Sequence, residues 1–157
     1  MHHLAEKYGF EISFIQPVDG KIQVKDIKDA LRPDTILVST MFANNETGYL
    51  LPIKEIGEVL KDHPAKFHVD AVQAMGKIPI YPEELGIDFL SASAHKFHGP
   101  KGTGFLYAKD FHFDNLLHGG SQEDKKRAGT ENIISIAGMA TALENNIDHI
   151  AENFSHI

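Results

Sequence analysis

The run from Ser91 to Gly104 reads Ser-Ala-Ser-Ala-His-Lys-Phe-His-Gly-Pro-Lys-Gly-Thr-Gly, and it holds the densest set of reactive side chains in the sequence. Lys96 follows a short apolar run, has serine and histidine beside it, and precedes several glycines. An amine acts as a nucleophile only after losing its proton, and apolar walls with neighbouring cations lower a lysine pKa toward that end. The same pattern also fits a surface lysine at a glycine turn, so the rest of the chain must decide. The run His68-Val69-Asp70-Ala71-Val72-Gln73 places a carboxylate at the end of an apolar strand-like segment and a carboxamide three residues on. Both can face one bound ring. A carboxylate against a pyridine nitrogen keeps that nitrogen protonated and makes the ring an electron sink. An amide donor suits a phenolate oxygen on such a ring. Taken alone, an aspartate at this position is more often a helix N-cap. A third polar loop, Asn44-Asn45-Glu46-Thr47-Gly48, is at minimum a turn.

Three polar loops cooperate only if the backbone brings them together. Strand-like runs alternate with helical patterns, which favours an α/β sheet with helices on its faces. Strands are expected over Glu11–Gln16, Thr35–Thr40, Lys66–Val69, Asp88–Ala92 and Thr103–Ala108, about five or six in all. Thr35–Thr40, short and apolar beside a helix, is expected to be buried on both faces. Val24, Ile27, Lys28 and Leu31 fall at helical spacing before Pro33. Pro52 opens a second helix, whose stripe is Ile53, Ile56, Val59 and Leu60, and Pro64 ends it. A longer helix is expected from about Ile133 to Ile150, weakened by Gly138. Met1–Tyr8 reads as the tail of a helix. Asp70 and Ser93 then sit at carboxyl ends of strands, where open α/β sheets place their chemistry. With parallel strands, Lys96, Asp70, Gln73, Asn45 and Ser93 should surround one pocket about the size of a pyridine ring.

Composition narrows the partners. The 157 residues are 42% apolar and 24% charged. Such a balance is expected of a folded globular chain. Lys plus Arg is 15 against 22 for Asp plus Glu, a net charge of −7. That charge repels phosphate backbones, so nucleic acid is not an expected partner. No apolar run reaches the roughly 18 residues of a membrane span, and the N-terminus lacks a signal-peptide layout, so the expected setting is cytoplasmic. There is no Cys, hence no disulfide, thiolate metal site or cysteine nucleophile in this chain.

In combination, Asn-Asn-Glu-Thr-Gly, His-Val-Asp-Ala-Val-Gln, Ser-Ala-His-Lys-Phe-His-Gly-Pro-Lys-Gly and His-Gly-Gly-Ser-Gln-Glu…Arg-Ala-Gly-Thr resemble the cysteine desulfurases of the class V aminotransferase family, from about Gly9 to Leu143. The resemblance implies pyridoxal 5'-phosphate as cofactor. It also implies a three-layer α/β sandwich with a mostly parallel sheet, belonging to the large domain of a fold-type-I enzyme. Lys96 would hold the cofactor covalently, Asp70 would pair with its pyridine nitrogen, and Gln73 would bond its ring oxygen. Asn45 would contact that oxygen or the substrate side of the ring, and Ser93 and His95 would hold the phosphate. Thr130 matches the family threonine that reaches the phosphate bound by the other subunit of a homodimer. An L-cysteine-type substrate and a sulfur-acceptor protein are the implied partners.

The chain departs from the family in lacking the persulfide-forming cysteine, which lies in family members beyond the matched region, as does the arginine for the substrate carboxylate. Residues 1–157 are therefore expected to be a partial cofactor-binding domain without the small C-terminal domain, inactive alone as a desulfurase. A selenocysteine lyase, another class V enzyme, or a non-catalytic fragment or decayed homologue are the other readings. Ten histidines, among them His95, His98, His112 and His118, lack carboxylate or thiolate partners at ligand spacing, so no metal site is expected.

Overall fold

The computed structural model describes residues 2–110 and 113–154; Met1 and His112, named above, lie outside them. Its centre is a four-stranded sheet, β1 (Leu37–Met41), β2 (Lys66–Asp70), β3 (Phe89–Ser93) and β4 (Gly104–Ala108), in the order β1-β2-β3-β4. β1, β2 and β3 run parallel, and β4 returns antiparallel to β3. The architecture is α/β with a mostly parallel sheet.

The two-residue period of a strand divides the sheet into unlike faces. On one face Phe67, Val69, Leu90 and Ala92 are buried and form a single core with Ile27, Ile53, Ile56 and Leu60. The last four belong to helices α2 (Val24–Ala30) and α3 (Ile53–Leu60), which pack on each other. Each large side chain buried in this way contributes about 1.5–3 kcal/mol. The other face carries Lys66, His68 and Asp70 on β2 beside Ser91 and Ser93 on β3.

Two expected features differ. Residues 11–16 form no strand, and the only pairing nearby is an isolated bridge between Val18 and Lys21. Phe10 and Phe14 stay exposed there. Apolar content makes a strand only with a neighbour to pair and a surface to cover. The sheet therefore has four strands among the described residues. β1 is not buried on both faces either, because it lies at the sheet edge and alternates exposed with half-buried residues, Leu37 and Met41 both 40% exposed.

The N-terminal helix, α1, covers His2–Tyr8, and the C-terminal helix is split into α4 (Ile133–Asp148) and α5 (Ile150–Phe154). Asn132 caps α4, its Oδ1 accepting from the Ser135 amide at 3.2 Å. The bond satisfies one of the amides that a helix leaves unpaired at its start. Gly138 has a packing reason in mid-helix. A Cβ there would lie 3.1 Å from Pro100 Cγ, so α4 comes close against the segment that follows Lys96.

Candidate functional site

Parallel pairing brings the carboxyl ends of β1, β2 and β3 to one edge, with Met41 opposite Asp70 and Asp70 opposite Ser91. The loop carrying Asn45 leaves β1 there. Asp70 and Gln73 follow from β2, and Ser93, His95 and Lys96 from β3. Six of the seven expected residues thus share one end of the sheet. Thr130 lies elsewhere, exposed on the segment leading into α4, where the neighbouring Gly129 amide donates to Gln122 Oε1 at 3.1 Å.

Each loop has its own scaffold. Asn44, not singled out from sequence, organises the first: its Oδ1 accepts from the amides of Glu46 and Thr47, both at 2.9 Å, while Asn45 beside it stays exposed. Asp70 Oδ1 caps its own turn by accepting from the Val72 amide at 2.9 Å. Its Oδ2 takes no hydrogen bond among the described residues. The turn-cap role and an acceptor role toward a ligand therefore coexist on one carboxylate. Ser93 Oγ and His95 Nδ1 lie 2.8 Å apart. Lys96 rides on a single 3-10 turn, Ala94–Phe97, fixed by its buried ends Ala94 and Phe97. His98 closes that turn at φ 66°. Such a left-handed backbone costs a non-glycine residue about 1–2 kcal/mol.

The sequence pattern does not single out Lys77. Its Nζ donates to Gln73 Oε1 at 3.4 Å, a long bond. Burial, and next the Lys96 ammonium, push its pKa below the ordinary lysine value. Lys77 thus bonds Gln73 and lies within electrostatic reach of Lys96. An ammonium has only donors, so the carboxamide must present its oxygen to Lys77 and its NH2 elsewhere.

His68 appears in the sequence only as part of a motif. It stands two residues before Asp70 on the same face, with Ser39 Oγ 2.8 Å from Nδ1 and Ser91 Oγ 3.3 Å from Nε2. A polar row thus crosses β1, β2 and β3. The strand-period repeat of Lys66, His68 and Asp70 was the available signal. Burial pushes the His68 pKa down, and the Asp70 carboxylate opposes this more weakly. A folded pKa below the unfolded value means that the unfolded chain binds more protons. The neutral imidazole's contribution is complete above the unfolded value of about 6.5, and falls as pH drops from there through the lower folded value. Urea midpoints at about pH 8 and about pH 5.5, on either side of that value, should differ less in His68→Gln than in the unsubstituted chain. Equal differences would remove His68 from the pH response.

Two concavities lie toward the amino ends of the strands, one lined by Ile36, Leu37, Lys66, Asp88, Phe89 and Asp110. There Lys66 Nζ bonds Asp88 Oδ1 at 3.1 Å while Asp88 Oδ2 accepts from the Phe67 amide at 2.8 Å, which ties β2 to β3. No group of three metal-ligating side chains occurs among the described residues.

The sequence matches the model of the class-V aminotransferase family over residues 1–153. The chain belongs to that family. Among its class-V relatives, a cysteine desulfurase IscS of Dictyoglomus turgidum is 54% identical over 145 residues, covering 90% of this chain and 36% of its own length. The solved structure of a NifS-like protein superposes with a TM-score of 0.90 at 40% identity, covering 96% of this chain and 42% of that one. A structure of SspA in complex with cysteine gives 0.87 at 38% identity over 91% of this chain and 42% of its own. The chain therefore spans a little over a third of the length of the curated relatives it matches, 36% and 39% for the first two.

Proposed function

We propose that these residues are the cofactor-binding part of a pyridoxal-phosphate-dependent cysteine desulfurase, a cytoplasmic homodimer. The whole enzyme would take sulfur from L-cysteine, leaving alanine, and pass it through an enzyme persulfide to an acceptor protein for iron–sulfur cluster or thiolation pathways. The observation that carries this reading is the placement of Lys96 just beyond β3, at the edge that also bears Asp70 and Gln73, in a class-V chain. The described residues include no helix long and apolar enough to cross a membrane.

The donor set fits the cofactor. The acceptor left on Asp70 suits a protonated pyridine nitrogen, and the carboxamide NH2 that Gln73 turns away from Lys77 suits the ring oxygen. Ser93 and His95 supply a hydroxyl and an imidazole for the phosphate, Thr130 a hydroxyl from the partner subunit, and Asn45 an amide at the substrate side. When bound, pyridoxal phosphate supplies an electron sink that weakens bonds at the α-carbon of an attached amino acid. The protein's share is to hold a proton at the ring nitrogen through Asp70 and to orient the ring through Gln73. Lys96 would hold the cofactor through its amine, which takes the place of the aldehyde oxygen as water leaves. None of the 157 residues is a cysteine, so the sulfur-accepting thiol of the whole enzyme lies outside them.

The chain mixed with pyridoxal phosphate should develop an absorption band of the lysine-bound cofactor. After borohydride reduction, peptide mapping should find the label on Lys96. Label spread evenly over surface lysines such as Lys25 and Lys61 would defeat the reading.

A further inference from the structure

Asn146 lies on α4, far beyond Lys96 in sequence, yet its side chain reaches the lysine turn. Its Nδ2 donates to Phe97 O at 3.0 Å and to Ala142 O at 2.7 Å. Both partners are carbonyl oxygens, which only accept, so the nitrogen of the carboxamide must face them and the orientation is unambiguous. The bond to Ala142 stays within α4 and fixes the rotamer. The second proton is thereby aimed at the peptide that joins Phe97 to His98.

That peptide is where the turn is strained, since His98 follows it in the left-handed region at φ 66°. Strain of this kind persists only where the surroundings over-determine the backbone. A carbonyl held from outside keeps the turn from relaxing to an ordinary backbone. The junction is closed on its third side by Gly76. Its φ is +72°, and a Cβ there would meet Phe97 Cβ at 3.0 Å and Asn146 Cβ at 3.2 Å. The Gln73 segment, the Lys96 turn and α4 therefore meet at one point with no room for another methyl group.

We propose that Asn146 is a positioning residue for Lys96, its carboxamide clamping the Phe97 carbonyl so that the strained 3-10 turn presents the amine in one orientation. The proposal rests on Lys96 being the cofactor-binding amine. It adds a residue in the C-terminal helix that sets how readily this amine captures an aldehyde.

The test uses the full chain and pyridoxal phosphate with borohydride fixation, and reads the concentration that half-labels Lys96, with Lys25 as an exposed reference. Asn146→Leu retains bulk but no donor, and should raise that concentration about fivefold, as loss of one hydrogen bond allows, without changing Lys25. Leu143→Ala removes apolar packing from the same junction while sparing the carboxamide, and should stay within about twofold of the unsubstituted chain. An unchanged Asn146→Leu, or a Leu143→Ala that matches it, overturns the proposal.

Amide exchange in the unsubstituted chain gives a second readout that needs neither variant nor cofactor. The Gly99 amide donates to Ala94 O at 2.8 Å across the turn. It should be protected like the amides of β3, as a bond opened only by larger unfolding is. Fast exchange there, with the strands protected, means the turn is not clamped and likewise overturns the proposal. If the unsubstituted chain labels Lys96 no better than Lys25, the cofactor reading fails, while the exchange result still decides the clamp.

Discussion

Replacing Lys96 by alanine should abolish the absorption band of lysine-bound pyridoxal phosphate and reduce borohydride-fixed label at this site to nothing. No other side chain can replace a covalent bond, so the effect is all or none rather than graded. The substitution should leave the fold intact. Lys96 is only half-buried, and the turn is held by the buried side chains of Ala94 and Phe97 and by backbone bonds at both ends. Far-UV circular dichroism and the urea midpoint should therefore match the unsubstituted chain while the band is gone. Lys96→Arg is the stricter version: it keeps the positive charge, yet a guanidinium stays protonated and does not act as the nucleophile. The site also contains an internal control in Lys77, whose amine lies near enough to Lys96 to feel its charge. If the label in Lys96→Ala merely moved to Lys77 with undiminished yield, the nucleophile would have been assigned to the wrong lysine.

Gly57→Ala should cost the fold more than any surface substitution. Gly57 is buried within α3, and an added Cβ would fall 2.1 Å from the Leu85 carbonyl oxygen and 3.1 Å from its carbon. Both atoms are backbone, so no rotamer change relieves the clash, and the helix must move away from residues 85 and 86. Alanine is favoured over glycine within a helix by about 1 kcal/mol, which works in the opposite direction. Overpacking of a rigid core costs about 1–3 kcal/mol and occasionally more, and a contact this short against backbone belongs at the upper end. The net loss is about 2 kcal/mol. For a urea dependence of about 1–3 kcal/mol/M, the midpoint should fall by about 1 M. An unchanged midpoint would show that α3 is not pressed against this segment.

The sequence carried different parts of the molecule with different clarity. β2 and β3 were legible because Phe67, Val69, Leu90 and Ala92 alternate with other residues and turn signals bracket them. The α3 stripe was legible because Ile53, Ile56 and Leu60 repeat with the helical period between two prolines. The run from Glu11 to Gln16 misled because strand propensity is a preference for a half-covered, paired surface, and composition cannot report whether a pairing edge is available. β1 misled for a related reason: an apolar run is the same letter string at the centre of a sheet and at its edge. The loops of Asn45, Asp70 and Lys96 could be placed at one end once the strands were taken as parallel. The partners that hold those loops were not legible. Asn44, Lys77 and Asn146 act through contacts that depend on turn geometry or on segments distant in sequence, and nothing in their immediate neighbours marks them.

The grip of α4 on the lysine turn has a consequence for the order in which the chain acquires its parts. The four strands and the turn lie within residues 37–108, whereas the Asn146 carboxamide bonds Phe97 across 49 positions. Synthesis proceeds from the N-terminus, and contacts distant in sequence close late. A nascent chain can thus complete its sheet while the amine-bearing turn still awaits its clamp, so competence to capture an aldehyde should mature after the sheet, with the emergence of α4.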